Sequence, residues 1–278
     1  MAIKDLAVAY NGSTNSKAAL SFAIQMCKKY EAALTGLHVR APISFEPQVQ
    51  RWMPKEVLES LKIAADEGTQ EVESGFRAAV AEADFPGQVE WLVEDGPTNE
   101  HLARLSRYFD LLVIGQFSEA EDDAKRLKVR AEDLVIRSGK PLIIVPNGYQ
   151  VRPFTEHAAV AWDGSRPAAR ALADAMQILE TKQRLDLVTV TAPGKVSTPR
   201  PGHDLPRHLK RHGIAVETVA LSASKDQVGA VILGHCAKSQ PDVLVMGAYG
   251  HARLREDLFG GVTRTILKTM NVPVLMSH

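Results

Sequence analysis

A chain of 278 residues is about twice the commonest domain size, so two compact domains are expected, with one enlarged domain as the alternative. Lys and Arg together number 33, as do Asp and Glu, so no net charge favours binding to nucleic acid or to an anionic membrane. No apolar run approaches the roughly 18 to 20 residues that span a bilayer. The composition therefore argues against a generic polyanion-binding protein and against a transmembrane protein.

The first residues pass directly into a strand-like apolar run, without the charged, apolar and small-residue segments of a secretory signal. We therefore predict a cytoplasmic protein. The two cysteines, Cys27 and Cys236, lie in predicted helices and lack the spacing of a zinc site or a disulfide framework. Both are expected to be buried thiols.

The sequence contains the same unit twice. Residues 7–13 read AVAYNGS and recur as AVAWDGS at residues 159–165, each followed by an alanine-rich amphipathic segment whose helix the serine would cap. Further along, residues 110–115 match residues 242–247. The offset between the copies falls from 151 to 132 between the second and fourth strands, which gives the first copy about 19 additional residues. We assign these to a longer helical insertion within residues 43–82.

Each copy alternates strands and helices in the pattern βαβαβαβαβ. The later strands are short β-branched runs at residues 89–93, 111–114 and 142–145 in the first copy and 216–221, 243–246 and 272–276 in the second. Near-continuous apolar strands that alternate with helices are typical of a parallel sheet covered on both faces. We therefore predict an α/β protein with two doubly wound five-stranded parallel-sheet domains of strand order 3-2-1-4-5, at residues 1–147 and 155–278.

A ligand of such a sheet binds beyond the carboxyl ends of the strands where the strand order reverses, here between strands 1 and 4 of each copy. In the second copy strand 1 ends in DGS at residues 163–165 and strand 4 in GAYG at residues 247–250. Gly260 and Gly261 then open the last helix, where backbone N–H groups would converge on an anion. Asp163 could accept a hydrogen bond from an amine or a ribose hydroxyl. Alternatively, it only caps the first helix, and the glycines only form loop turns.

The spacing of Gly247, Gly250 and Gly260 resembles the glycine motif of the universal stress protein family. The resemblance covers both copies and identifies the chain as a tandem two-domain member. In ATP-binding members the aspartate after strand 1 and a backbone group at the end of strand 2 hold adenine, and the glycine motif holds ribose and phosphates. The resemblance therefore implies a non-catalytic stress-response regulator that binds ATP or a related adenine nucleotide in its second domain.

Carried over position by position, the resemblance implicates Ala161, Trp162, Asp163, Gly164, Val190, Met246, Gly247, Gly250, His251, Arg253, Gly260, Gly261, Val262 and Thr263. It implies that Asp163 and Val190 hold the base. It places Met246 and Gly247 near the ribose and the later glycines around the phosphates.

One position departs from the family motif. The motif continues with Ser or Thr where this chain has Gly261, so a hydroxyl contact to phosphate, or to a Mg²⁺ ion on it, is lost. Thr263 could replace that hydroxyl. His251 and Arg253 could screen phosphate charge, or belong to a solvated loop.

The first copy lacks the features that imply nucleotide binding. The positions of Gly250, Gly260 and Gly261 are occupied in the first copy by Ser118, Lys128 and Val129. The position of Asp163 is occupied by Asn11. Side chains there block a close approach of the backbone to a ligand. Acidic residues within 119–123 would repel a polyphosphate. We therefore predict one nucleotide site per chain and a first domain retained for packing.

The tandem arrangement resembles the dimers formed by single-domain members of the family. These typically pair along their final strands, which are residues 142–145 and 274–277 of this chain. The resemblance implies a pseudo-dimer within one chain. A homodimer of the whole chain and an unidentified protein partner are further expectations.

Two other functions stay open at this point. A slow nucleotide hydrolase would need His251, Glu256 or Asp257 near the terminal phosphate. A scaffold without nucleotide would use the insertion with Phe45 and Trp52 as a partner surface. His203, His208 and His212 could be metal ligands, but without an acidic or Cys partner at ligand spacing a basic solvated helix is favoured.

Overall fold

The computed structural model describes residues 3–40, 54–117, 129–194, 204–250 and 261–278. The first half contains β1 Asp5–Ala9, α1 Thr14–Tyr30, β2 Ala33–Arg40, α2 Lys55–Glu82, β3 Val89–Asp95, α3 Thr98–Leu105, a 3₁₀ turn Ser106–Tyr108, β4 Leu111–Gly115, α4 Ala131–Arg137 and β5 Leu142–Val145. The second half contains β6 His157–Ala161, α5 Arg166–Leu179, β7 Arg184–Thr191, α6 Leu205–Arg211, β8 Val216–Ser222, α7 Val228–Ser239, β9 Val243–Gly247, α8 Gly261–Thr269 and β10 Val274–Ser277.

All ten strands form one sheet in the order β3-β2-β1-β4-β5-β10-β9-β6-β7-β8. Each half has the predicted order 3-2-1-4-5, and its strands are parallel. The halves join through β5 and β10, which pair antiparallel with Val274 opposite Ile144 and Met276 opposite Leu142. The α/β prediction is confirmed, and the two predicted sheets are continuous with each other.

Helices cover both faces of the sheet, as the apolar strands require. Leu6 and Val8 of β1 belong to one buried cluster, with α1 and α5, and Ala7 and Ala9 belong to the other, with α3, α7 and α8. Successive strand residues point to opposite faces, which divides β1 between the two clusters. Each cluster contains residues of both halves, so the halves share their core.

The serine of each repeated turn caps the helix that follows it. The hydroxyl of Ser13 accepts from the N–H of Ser16 at 3.1 Å, and that of Ser165 accepts from the N–H of Ala168 at 3.3 Å. Each bond satisfies one backbone donor that the first turn of a helix leaves free. The predicted starts of α1 and α5 are therefore correct.

The additional residues of the first copy mainly lengthen one helix. α2 has 28 residues, whereas α6 at the equivalent place in the second half has 7. Only Phe76 and Val80 of α2 are buried, and Val57 and Ile63 in its first turns are exposed. Phe45 and Trp52, which were considered for a partner surface, lie outside the described residues.

A charged cluster joins the two halves at the amino ends of the strands. Lys182 Nζ lies 2.8 Å from Asp242 Oδ2, and both side chains are buried. Glu156 bonds Lys29 of α1 and lies 3.5 Å from Lys182. The ring of Phe154 covers the Lys182 ammonium at 4.9 Å.

Among the described residues, none of the helices has the length and apolarity to cross a membrane.

Candidate functional site

Two turns meet at the carboxyl edge of the second half. β6 and β9 are neighbours, with Ala161 paired to Met246. A Cβ added to Gly250, in the turn after β9, would lie 3.1 Å from Ser165 Oγ and 3.8 Å from Asp163 Oδ2, in the turn after β6. The aspartate and the glycine turn, which the sequence predicted to lie at one ligand site, are therefore in direct proximity.

Asp163 closes the turn in which it lies. Its Oδ1 accepts from the N–H of Ser165 at 2.9 Å, and Gly164 between them has a φ of 74°. The helix cap itself is Ser165, so the alternative in which Asp163 caps the helix is wrong. The side chain is exposed, and its second oxygen faces Gly250. That oxygen is placed to accept from a ligand.

Gly247 is explained by packing. A Cβ there would lie 2.3 Å from Ala168 N and 2.4 Å from Pro167 C, because the first turn of α5 crosses the end of β9 at that point. In the first half a Cβ on Gly115 would meet the backbone oxygen of Asn15 at 2.3 Å in the same way. A glycine at this position of either copy therefore does not by itself indicate a ligand.

Tyr249 and Thr263 hold the glycine turn against α8. Tyr249 is buried and has a φ of 59°, a left-handed conformation that is uncommon for a residue with a Cβ. Its N–H donates to Thr263 Oγ1 at 3.4 Å. Burial raises the pKa of the Tyr249 hydroxyl, so the phenol stays neutral. Thr263 is 4% exposed, so its hydroxyl supports the turn, whereas the sequence suggested a phosphate contact.

No atom of the described residues crowds the start of α8. Gly261 is exposed, and a Cβ added to it would meet no described atom within 4 Å. Val262 follows it and is partly buried. The first N–H groups of a helix have no partner within the helix, and an anion is one partner that suits them. His251, Arg253 and Gly260, with Glu256 and Asp257 of the hydrolase hypothesis, lie outside the described residues.

Four apolar residues of the predicted site divide between the two faces of the sheet. Ala161, Val190 and Met246 pack in or against the cluster that contains α8. Trp162 packs against the opposite cluster, and its backbone N–H donates to the backbone carbonyl of Val188 at 2.9 Å. The structure therefore brings three of the four together and leaves the Trp162 side chain on the other face.

The equivalent edge of the first half differs in its details. Asn11 Oδ1 accepts from the N–H of Ser13 at 3.0 Å, so the turn itself is the same. Val129 stands in place of Gly261, and its side chain packs against the core. Ser118 and Lys128 lie outside the described residues.

No metal cage is formed within the described ranges, since no group of three His, Cys, Asp or Glu side chains there could hold an ion. The rings of His208 and His212 are 4.9 Å apart, and His212 Nδ1 lies 3.1 Å from Glu180 Oε1. A Mg²⁺ ion on a nucleotide would receive most of its ligands from phosphate and water, as is usual for Mg²⁺.

Sequence reasoning missed one residue that joins the two halves. Gln116 follows β4 of the first half, is 6% exposed, and contacts α8 of the second half through its amide group. The only signal in the sequence is that the second copy has Ala248 at the same position.

Comparison with known proteins agrees with this architecture. The sequence model described as the universal stress protein family matches residues 2–146 and 155–278. A curated universal stress protein of Synechocystis sp. is 26% identical over 177 residues, which are 60% of this chain and 57% of that protein, so the match spans little more than half of the relative.

Solved structures show the same fold. A universal stress protein from Archaeoglobus fulgidus matches with a TM-score of 0.71 and 18% identity, over 98% of this chain and 96% of that one. A protein of unknown function from Pseudomonas aeruginosa PAO1 matches with a TM-score of 0.59 and 14% identity, over 99% and 92%.

Proposed function

The chain belongs to the universal stress protein family, and on that premise we propose that its carboxy-terminal half binds one adenine nucleotide, ATP or a close relative. The nucleotide would lie at the edge where β6 and β9 end. Binding without catalysis would report the energy or stress state of the cell to a protein partner.

The proximity of Gly250 to Asp163 carries this proposal. Because Gly250 has no Cβ, the backbone of its turn comes close to Ser165 Oγ and to Asp163 Oδ2, an approach that a side chain would crowd. The carboxylate is a hydrogen-bond acceptor, and an adenine amine or a ribose hydroxyl is a donor. A small polar ligand with donors on one side is therefore matched to this turn.

The amino-terminal turn of α8 supports the phosphate half of the proposal. α8 has nine residues, and its first turn lies next to the Tyr249–Thr263 contact that also holds the glycine turn. The partial positive charge and free N–H groups of a helix start stabilise an anion. Base and phosphate would then be bound by two turns that contact each other.

Differences between the halves support one site per chain. Asn11 presents an amide where the second half presents the Asp163 carboxylate, and Val129 fills the place of Gly261. Neither substitution disturbs the turn or the core, but each removes a feature that the nucleotide would use.

Isothermal titration of the full chain with ATP tests the proposal. We expect one site per chain, loss of binding in Gly250→Val, and unchanged binding in Gly68→Val, whose added side chain would lie in open space on α2. Two sites, no site, or unchanged binding in Gly250→Val would contradict the proposal. Phosphate release that His251→Ala or Asp257→Ala abolishes would contradict the absence of catalysis.

A further inference from the structure

Gln116 connects the first half of the molecule to α8 of the second. Its Nε2 donates to Leu267 O at 2.8 Å and to Lys268 O at 3.1 Å, and its Oε1 accepts from the N–H of Asn147 at 2.9 Å. Its own N–H donates to Val145 O at 2.8 Å, which fixes it at the end of β5. The side chain is therefore anchored in the first half and directed at the second.

The two carbonyls that Gln116 reaches belong to the last turn of α8. Carbonyls of the last turn have no partner within the helix and carry the negative end of its dipole, so two N–H donors there stabilise the helix end. A nine-residue helix is a short rigid rod of roughly 13 Å. Fixing its carboxyl end therefore also fixes Gly261 and Val262 at the amino end.

This contact has no counterpart in the other direction. Ala248 occupies the position of Gln116 in the second half and has no side-chain donor. The last turn of α4 receives its side-chain donor from its own half, where Arg107 Nη2 lies 2.9 Å from Arg137 O. Within the described residues, the first half therefore caps the end of α8 in the second half, whereas the second half supplies no such cap to α4 in the first.

We propose that Gln116 is a positioning residue for the phosphate end of the nucleotide site. Its two hydrogen bonds fix the position of α8 along the helix axis, and this position aligns Gly261 with the turn that contains Gly250. The first half is then a working part of the site in the second half, although it lacks the nucleotide features itself. This inference rests on the proposed nucleotide function.

The test compares Gln116→Leu with Gln25→Leu. Gln25 is a matched control because its side chain also bonds a segment distant in sequence, Arg152 O and the Tyr149 hydroxyl between the two halves, and has no hydrogen bond to α8. The ligands are ATP, which uses the phosphate end, and adenosine, which does not. We expect Gln116→Leu to weaken ATP binding about five- to tenfold, the size of one or two lost hydrogen bonds, and to leave adenosine binding unchanged. Gln25→Leu should bind both ligands as the wild type does.

Hydrogen exchange in the free chain gives a second readout. Amides of α8 should exchange faster in Gln116→Leu than in Gln25→Leu, because only the first variant frees the end of α8. If Gln116→Leu does not fold, Gln116→Met removes the same donors with a more flexible side chain.

The outcomes distinguish the proposed nucleotide function from the proposed role of Gln116. A wild type that binds neither ligand overturns the proposed function and, with it, the role of Gln116 at the site. A wild type that binds ATP, together with a Gln116→Leu chain that binds it equally well, overturns the inference and leaves the function standing. Equal losses for ATP and adenosine would also overturn it, because they indicate general damage.

Discussion

The ammonium of Lys182 and the carboxylate of Asp242 form an ion pair at 2.8 Å from which water is almost excluded. The same carboxylate accepts from the N–H and hydroxyl of Thr155, both at 2.9 Å. It thus ties the start of β9 to the segment that leads into β6. The pair lies at the edge of the sheet opposite the proposed nucleotide site, so it can be tested for stability without touching binding.

We expect Asp242→Asn to lower the free energy of unfolding by about 3 kcal/mol, because it removes the nearer of the two carboxylates beside the buried Lys182 ammonium and leaves only Glu156, at 3.5 Å. Urea titration followed by circular dichroism measures the change. Asp174→Asn, which removes an exposed pair with Arg170 within α5, is the control and should cost under about 0.5 kcal/mol. Equal costs would show that burial does not set the strength of the Lys182 pair.

Acid should weaken the folded state through the same carboxylate. Burial alone would raise the pKa of Asp242, but the Lys182 ammonium and the Thr155 donors outweigh it and hold the pKa below the ordinary 3.8. The stabilisation is therefore complete above about pH 5 and is lost as the pH falls through the folded-state pKa. Unfolding free energies between pH 7 and pH 3 should fall less steeply for Asp242→Asn than for the wild type. Parallel curves would contradict this assignment.

Three glycines should separate into two groups by the effect of an added methyl group on stability. Gly247→Ala forces a Cβ against the backbone of α5 and should cost about 2 kcal/mol or more, as should Gly115→Ala in the first half. Gly68→Ala, in open space on α2, should cost nothing and can stabilise the helix slightly. Thermal unfolding measures all three. A neutral Gly247→Ala would contradict the packing explanation of this glycine.

Gly261→Ser should tighten ATP binding. The position is exposed, with open space for a Cβ, and a hydroxyl there could donate to a phosphate oxygen. We expect about three- to tenfold higher affinity, since hydrogen bonds to charged groups are stronger than neutral ones. Gly261→Ala is the control, because it gives the same backbone restriction without the hydroxyl. Equal affinities of the two variants would show that phosphate does not reach this residue.

The internal repeat made the fold predictable. Matching runs such as 110–115 and 242–247 place equivalent strands, and strand order follows from the handedness of the crossovers. The pairing of β5 with β10 was expected from the family resemblance. The length of α2 was also visible, since the excess residues of the first copy had an amphipathic pattern.

The site was less predictable, because it depends on contacts between distant residues. The sequence identified Asp163 and Gly250 as neighbours at one site. It could not show that Gly247 is a glycine for a different reason, namely that α5 leaves no room for a side chain there. It grouped Trp162 with Val190, although the two side chains lie on opposite faces. The Gln116 contact joins residues 151 positions apart, and no local pattern encodes how the halves dock.

β5 and β10 pair antiparallel within one chain. The strand edges along which two separate domains would associate are therefore already occupied. The outermost strands are β3 and β8, and the acidic side chains on β3 discourage edge-to-edge association. Either half produced alone would expose a four-residue strand whose residues are all buried in the intact chain, and should self-associate or recapture the other half. Any dimer of the intact chain must consequently form through a different surface.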